Sequence, residues 1–265
     1  MKSTKHLRAN PRLLLLIGLL LFSASCRTSR SETPTEATAD KRSAEEFIKQ
    51  ADKLYEQRED LARAREALTM IRQARTVDFG SYDAAWRLAK FNYYIGSHAT
   101  DAAEREKSFR DGIEAAEAAV KLQPERAEGH FWLGANYGGR AQEDALTGLS
   151  AIEDIRKEME TVIRLDEGFQ SGSAYMVLGQ LYLEAPKMLG GDPQKALEVL
   201  EKGLRFGKDS AAYHLRLAQA YLALKRKNDA RRELNDILKM QPHPDFVPEY
   251  KDTVAEARKL LEKNP

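Results

Sequence analysis

The chain has 265 residues, 42% of them apolar, enough to close a sizeable buried core, which excludes a disordered chain. Charged residues make up 31%, yet 42 Lys and Arg stand against 41 Asp and Glu, a balance that leaves no net field to draw the chain to nucleic acid. The lone cysteine excludes internal disulfides and thiolate metal clusters. Ala, Leu, Glu, Lys and Arg dominate, while the 16 Gly and 9 Pro fall into a few clusters, so the composition predicts an all-α protein with almost no strand.

In chain order, the first feature is an address. Lys2, Lys5, Arg8 and Arg12 precede an apolar run at 13–22, and Ser23, Ala24, Ser25 and Cys26 follow. That is the order of a secretory signal, here 1–25, and the apolar run is too short for a permanent membrane span. Cys26 stands where a bacterial lipoprotein signal places the acylated residue. Ala24 and Ser25 fit such a lipobox, and Ser23 stands where Leu, Val or Ile is usual. The reading expects Cys26 to be diacylated, since two chains give stable anchoring; the alternative is a plain signal that leaves a free thiol. Residues 26–42 hold almost no large apolar side chain and are expected to form a flexible tether.

From residue 43 to 265 the apolar spacing is helical, in hairpin-sized segments divided by Gly, Pro and Asp. Three stretches align: Leu133-Gly134-x-x-Tyr137, Leu178-Gly179-x-x-Tyr182 and Leu217-Ala218-x-x-Tyr221, each three residues after a ring-bearing residue, His130, Tyr175 or His214. Second-helix positions follow at tetratricopeptide offsets, namely Ala230, Leu234, Ile237 and Pro242, and, after a longer connection, Ala196, Leu200 and Gly203. Upstream, Trp86, Ala89 and Tyr93 pair with Gly112, Ala116, Ala119 and Pro124, and a degenerate unit runs from Phe47 through Tyr55 to Ala74. Small residues recur because closely crossing helices need Gly or Ala at the contact. The pattern predicts a right-handed solenoid of tetratricopeptide-type hairpins, with Asp192-Pro193 opening a helix and residues 248–263 forming a capping helix. The extra residues of the long repeats are expected in loops at 138–148 and 184–191.

The segment His130-Phe-Trp-Leu-Gly-Ala-Asn-Tyr-Gly138, with Leu183-Glu-Ala-Pro-Lys-Met-Leu-Gly-Gly-Asp-Pro193 and the helix after it, resembles the TRAP transporter T-component (TatT) family over residues 43–265. The resemblance implies a periplasmic lipoprotein of the bacterial envelope that binds the substrate-binding P component of a TRAP transporter. It also implies a homotrimer with pores that accept a hydrophobic small molecule. Arg27, in place of an Asp retention signal, leans toward the outer membrane.

No G-x-S-x-G, G-x-x-x-x-G-K-[ST] or H-E-x-x-H string is present, so hydrolase, nucleotide and zinc chemistry lack their usual starting points. No catalytic residue, metal ligand or cofactor is assigned. His130 and His214 share one repeat slot and are read as rings for packing, as Tyr175 is, in preference to ligands for a metal or polar guest. The face that first helices turn inward presents Phe91, Tyr94, Phe131, Met176, Gln180, Leu183, Leu215, Gln219 and Leu222, a mostly apolar row expected to line a groove for a ligand or partner segment. The alternatives are an envelope scaffold for protein assembly with no small ligand and, from another class, an enzyme with an unrecognised site.

Overall fold

The computed structural model describes residues 36–143, 145–242 and 247–264. The expected signal, Cys26, the start of the tether and His243 lie outside the described residues. Eleven α-helices are present among those described: α1 Glu36–Tyr55, α2 Leu61–Val77, α3 Tyr82–His98, α4 Ala102–Leu122, α5 Ala127–Glu143, α6 Ala145–Leu165, α7 Phe169–Glu184, α8 Pro193–Gly207, α9 Ala211–Ala223, α10 Lys227–Ile237 and α11 Val247–Lys263. Helix α1 thus starts within the segment read as tether.

Local chemistry sets where the helices begin. Side chains of Asp60, Ser81, Asp101 and Ser210 accept hydrogen bonds from the orphan first-turn amides of α2, α3, α4 and α9, and Asp192 caps α8 ahead of Pro193, as the sequence predicts. Consecutive helices pair as antiparallel hairpins, α1 with α2 through α9 with α10, and α11 closes the stack against α9 and α10.

Each hairpin buries its apolar stripe between neighbours. The central core gathers Trp132, Leu133, Ile155, Met159 and Val162, the C-terminal core Leu197, Leu200, Tyr213, Leu217, Leu234 and Ile237, and the N-terminal core Ile71, Phe91 and Ile95. The repeat glycines sit at the crossings: a Cβ on Gly134 would stand 2.5 Å from Met159 Cε, and one on Gly179 2.5 Å from Leu200 Cγ. One expectation needs correction. Residues 138–143 continue α5 and residues from 145 onward belong to α6, so the longest repeat spends its extra length on longer helices. By contrast, the expected loop does form, from 185 to 192 after the end of α7 at Glu184, tightened by a 3-10 turn at Lys187–Leu189.

The ring slot of the repeats has a polar job as well as a packing one. His130 Nδ1 lies 2.5 Å from Glu158 Oε2 and its Nε2 2.9 Å from the Pro124 carbonyl. His214 repeats the arrangement with Glu233 at 2.6 Å and the Lys208 carbonyl at 2.9 Å. Two acceptors on one ring suit the imidazolium, which alone donates from both nitrogens. The hydrogen bond to Glu158 raises the His130 pKa against a smaller desolvation effect. At His214 desolvation is the largest single effect and lowers the pKa, but Glu233 and the Lys208 carbonyl together turn the net shift upward.

A folded-state pKa above the unfolded value stabilises the fold fully below the unfolded value, about 6.5, and the contribution is lost as pH rises through the folded value. The melting temperature is therefore expected to fall as pH rises above about 6.5, and His130→Gln with His214→Gln should flatten that slope. Parallel melting curves for the two proteins across this range would refute the assignment.

Candidate functional site

The stack curves until its ends meet. Arg58, in the turn after α1, donates to Glu249 of α11 from Nε at 3.2 Å and from Nη2 at 3.0 and 3.1 Å, and Lys251 pairs with Glu59 beside it. The inner helices therefore surround a channel. Its cavity of about 670 Å³ is walled by Tyr93 and Ser97 of α3, Phe131 to Gln142 on α5, Met176 to Glu184 on α7, Arg216 of α9, and Glu249, Tyr250 and Thr253 of α11, with Leu149, Ile152 and Ile155 of α6 completing one side. This volume lies in the range of specific binding pockets.

Of the sequence-predicted row, Phe131, Met176 and Gln180 line this cavity. Phe131 is also core, meeting Trp132 edge-on at 5.0 Å and Phe169 at 5.2 Å. Phe91 and Tyr94 are packed away against α1: Phe91 stacks on Tyr55 at 4.3 Å and Tyr94 meets the same ring at 5.6 Å. Leu183, Leu215 and Leu222 pack in the C-terminal core, and Gln219 accepts a hydrogen bond from Arg216 at 2.8 Å. The residues that sequence reasoning misses come from α6 and α11. A signal for the first exists in the apolar face of 149–155, which the repeat spacing puts at a loop edge, whereas nothing local reveals that α11 reaches the turn after α1.

Two features give the channel its polarity. Tyr93 and Arg216 lie close enough across it to interact electrostatically, and burial pushes the Tyr93 hydroxyl up. At the mouth, Gln170, Ser171 and Gly172 have φ of 44°, 60° and 76°, and Gln170 and Ser171 border the cavity. Left-handed backbone at two residues bearing a Cβ is costly, about 1–3 kcal/mol each, and such strain gathers at binding and switch sites.

A family model described as RMD1-3, regulator of microtubule dynamics protein 1-3, matches residues 47–264. The chain belongs to the RMD1-3 family. No curated protein sequence matches it. Solved structures place it among tetratricopeptide folds. TTC0263, a thermophilic TPR protein of Thermus thermophilus, superposes with a TM-score of 0.61 at 19% identity, covering 82% of this chain and 99% of that one. The pilF protein of Pseudomonas aeruginosa superposes at 0.56 with 19% identity, covering 85% and 93%. At such identity the likeness concerns the fold.

RMD1-3 membership overturns the T-component reading. With it go the TRAP P component as partner, the hydrophobic small-molecule cargo, the homotrimer and the station in the periplasm or outer membrane. The physical reason lies in the residues that carry the resemblance. Gly134 and Gly179 are helix crossings, and Gly191, whose added Cβ would stand 1.8 Å from the Ala185 carbonyl oxygen, is a tight turn whose amide bonds Pro186. Irregular tetratricopeptide stacks need such positions whatever they bind, so the matched strings report packing and not partner.

Proposed function

We propose that the protein is a non-catalytic scaffold that holds a segment of a partner polypeptide in its ring-enclosed channel, the partner belonging to the microtubule machinery that the RMD1-3 description names. The observation that carries this reading is the makeup of the channel wall. Apolar Phe131, Trp132, Met176, Val177 and Leu181 alternate along α5 and α7 with Gln142, Gln180, Ser171 and Ser173. An extended segment brings backbone N–H and C=O groups that need partners as well as side chains to bury, and a glutamine amide offers both a donor and an acceptor. The absence of a nucleophile motif and the membership in a family of regulators support a binding role over catalysis.

The test is co-sedimentation of the purified chain with polymerised tubulin, alone and in the presence of a microtubule-associated protein fraction. The wild type should pellet in at least one of these mixtures. Met176→Gln with Leu149→Gln, which alters a half-buried wall position at the edge of the C-terminal core and an exposed one, should weaken binding by roughly tenfold, about 1.4 kcal/mol, with helicity unchanged and melting lowered only slightly. Undiminished pelleting of the double variant would move the partner site off the channel; no pelleting in either mixture would separate the protein from microtubules.

A further inference from the structure

Arg216 is placed differently from the described arginines that pair with carboxylates. Arg58, Arg87, Arg105 and Arg126 each meet a carboxylate at 3.0 Å or less. Arg216 lines the channel and is half-buried, yet among the described residues its hydrogen-bond partner is the neutral carbonyl of Gln219, at 2.8 Å, and no carboxylate stands within ion-pair distance. The acids that share the wall do not compensate it. Glu249 is taken by Arg58 from two nitrogens, and Glu184, whose charge favours the guanidinium only from a distance, accepts the Gln180 amide at 2.9 Å. Desolvation accordingly lowers the Arg216 pKa, the mark of a cation held short of counter-charge.

Burying a guanidinium without a carboxylate is unfavourable, and it becomes favourable when a ligand supplies one, because charge-assisted and bidentate hydrogen bonds are the strong ones. The wall that Arg216 shares also carries apolar Phe131, Met176 and Leu181. On the α3 side stands Tyr93, whose hydroxyl lies within electrostatic reach of the guanidinium.

We infer that the channel selects a partner segment in which a single acidic side chain, placed between large apolar residues, pairs with Arg216 while its neighbours fill the pocket formed by Phe131, Met176 and Leu181. This rests on the channel being a polypeptide site. Gln219 is then a positioning residue: its carbonyl fixes one guanidinium nitrogen and leaves the remaining donors to face the segment.

The test uses the full chain and two short fluorescein-labelled peptides, capped at both ends, in which leucine and phenylalanine flank a central aspartate or, in the twin, a central asparagine. Fluorescence anisotropy should show the aspartate peptide bound at least about tenfold more tightly. Arg216→Gln should bring the two affinities together without weakening the asparagine peptide. Arg216→Lys, which keeps the charge and loses the fork, should restore part of the preference, so that a merely structural role for the side chain is distinguished. Equal binding of the twins to the wild type overturns the acidic assignment and leaves the channel reading standing. A preference that survives Arg216→Gln overturns it too, placing the carboxylate elsewhere. Binding of neither peptide overturns the channel as a polypeptide site.

Discussion

Gly112→Ala is expected to destabilise the protein, and Gly138→Ala to leave it unchanged or stabilise it, although both replace glycine by the best helix former in the interior of a helix. Intrinsic propensity favours alanine by about 1 kcal/mol at either position. The surroundings decide the sign. A Cβ on Gly112 would stand 2.1 Å from Asn136 Oδ1 and 2.6 Å from its Cγ. Asn136 has no surface exposed, and its amide donates to the Trp132 carbonyl at 2.7 Å and, across to α3, to the Ala89 carbonyl at 3.2 Å. The new methyl group has to push that amide aside. The cost is overpacking, about 1–3 kcal/mol, together with the strain on buried hydrogen bonds worth about 1–3 kcal/mol if left unmade.

At Gly138 the nearest atom is Ile155 Cδ1, at an ordinary 3.9 Å, so the propensity gain is free to appear. For a chain of this size each kcal/mol moves the melting temperature by roughly 2–4 °C. Differential scanning calorimetry should therefore separate the two variants by about 5 °C or more, with Gly112→Ala below the wild type. Asn136→Ala combined with Gly112→Ala should cost less than the sum of the single changes, because the side chain that clashes is gone. An additive double variant, or a stabilised Gly112→Ala, would show that this crossing is looser than its geometry implies.

This pair also shows what the sequence discloses and what it withholds. Gly112 is readable as a second-helix position because the repeat spacing places a small residue there, and the same logic finds Gly134, Gly179, the start of α8 at Asp192-Pro193 and the capping helix α11. All of these are consequences of local period and of contacts between consecutive hairpins. Asn136, the partner that makes Gly112 indispensable, carries no periodic signature, since a polar residue inside an apolar helix reads equally as surface or as buried stitch. The channel is less legible still. Register within each first helix selects the inner row, and it brings Phe131, Met176 and Gln180 to the wall. Phe91 and Tyr94 obey the same register and are buried instead, because they pack on Tyr55 of α1 in the N-terminal core. A meeting of residues 58 and 249 depends on curvature summed over the whole stack, and no local pattern records it. Nor does packing record a partner, which is why strings such as 183–193 point to the wrong family.

That meeting yields the final prediction: Glu249→Leu should loosen the ring more than Arg58→Leu, even though the two remove the same ion pair. The Arg58 side chain is 9% exposed and that of Glu249 36%. The guanidinium also lies over the rings of Tyr55 at 5.0 Å and Tyr94 at 5.7 Å, a cation–π seat that excludes water from its charge. Removing the arginine leaves a carboxylate that water can reach, and leucine fills part of the aromatic seat. Removing the glutamate takes from the largely buried guanidinium the carboxylate it meets from two nitrogens, the costly way to break such a pair, about 3–5 kcal/mol for full burial and less here because one partner is a third exposed. A loss of about 2–3 kcal/mol is expected for Glu249→Leu and about 1 kcal/mol less for Arg58→Leu. Lys251→Ala, removing the neighbouring pair of exposed groups, should change stability by under about 1 kcal/mol. Because α11 carries Glu249, Tyr250 and Thr253 to the channel wall, loosening it should also be visible as structure. Hydrogen exchange should quicken in α11 and in the turn at 56–60 while α5 and α6 stay protected. If Glu249→Leu leaves α11 as protected as before, the helix is held by its packing on α9 and α10 alone, and the ring does not need its ionic closure.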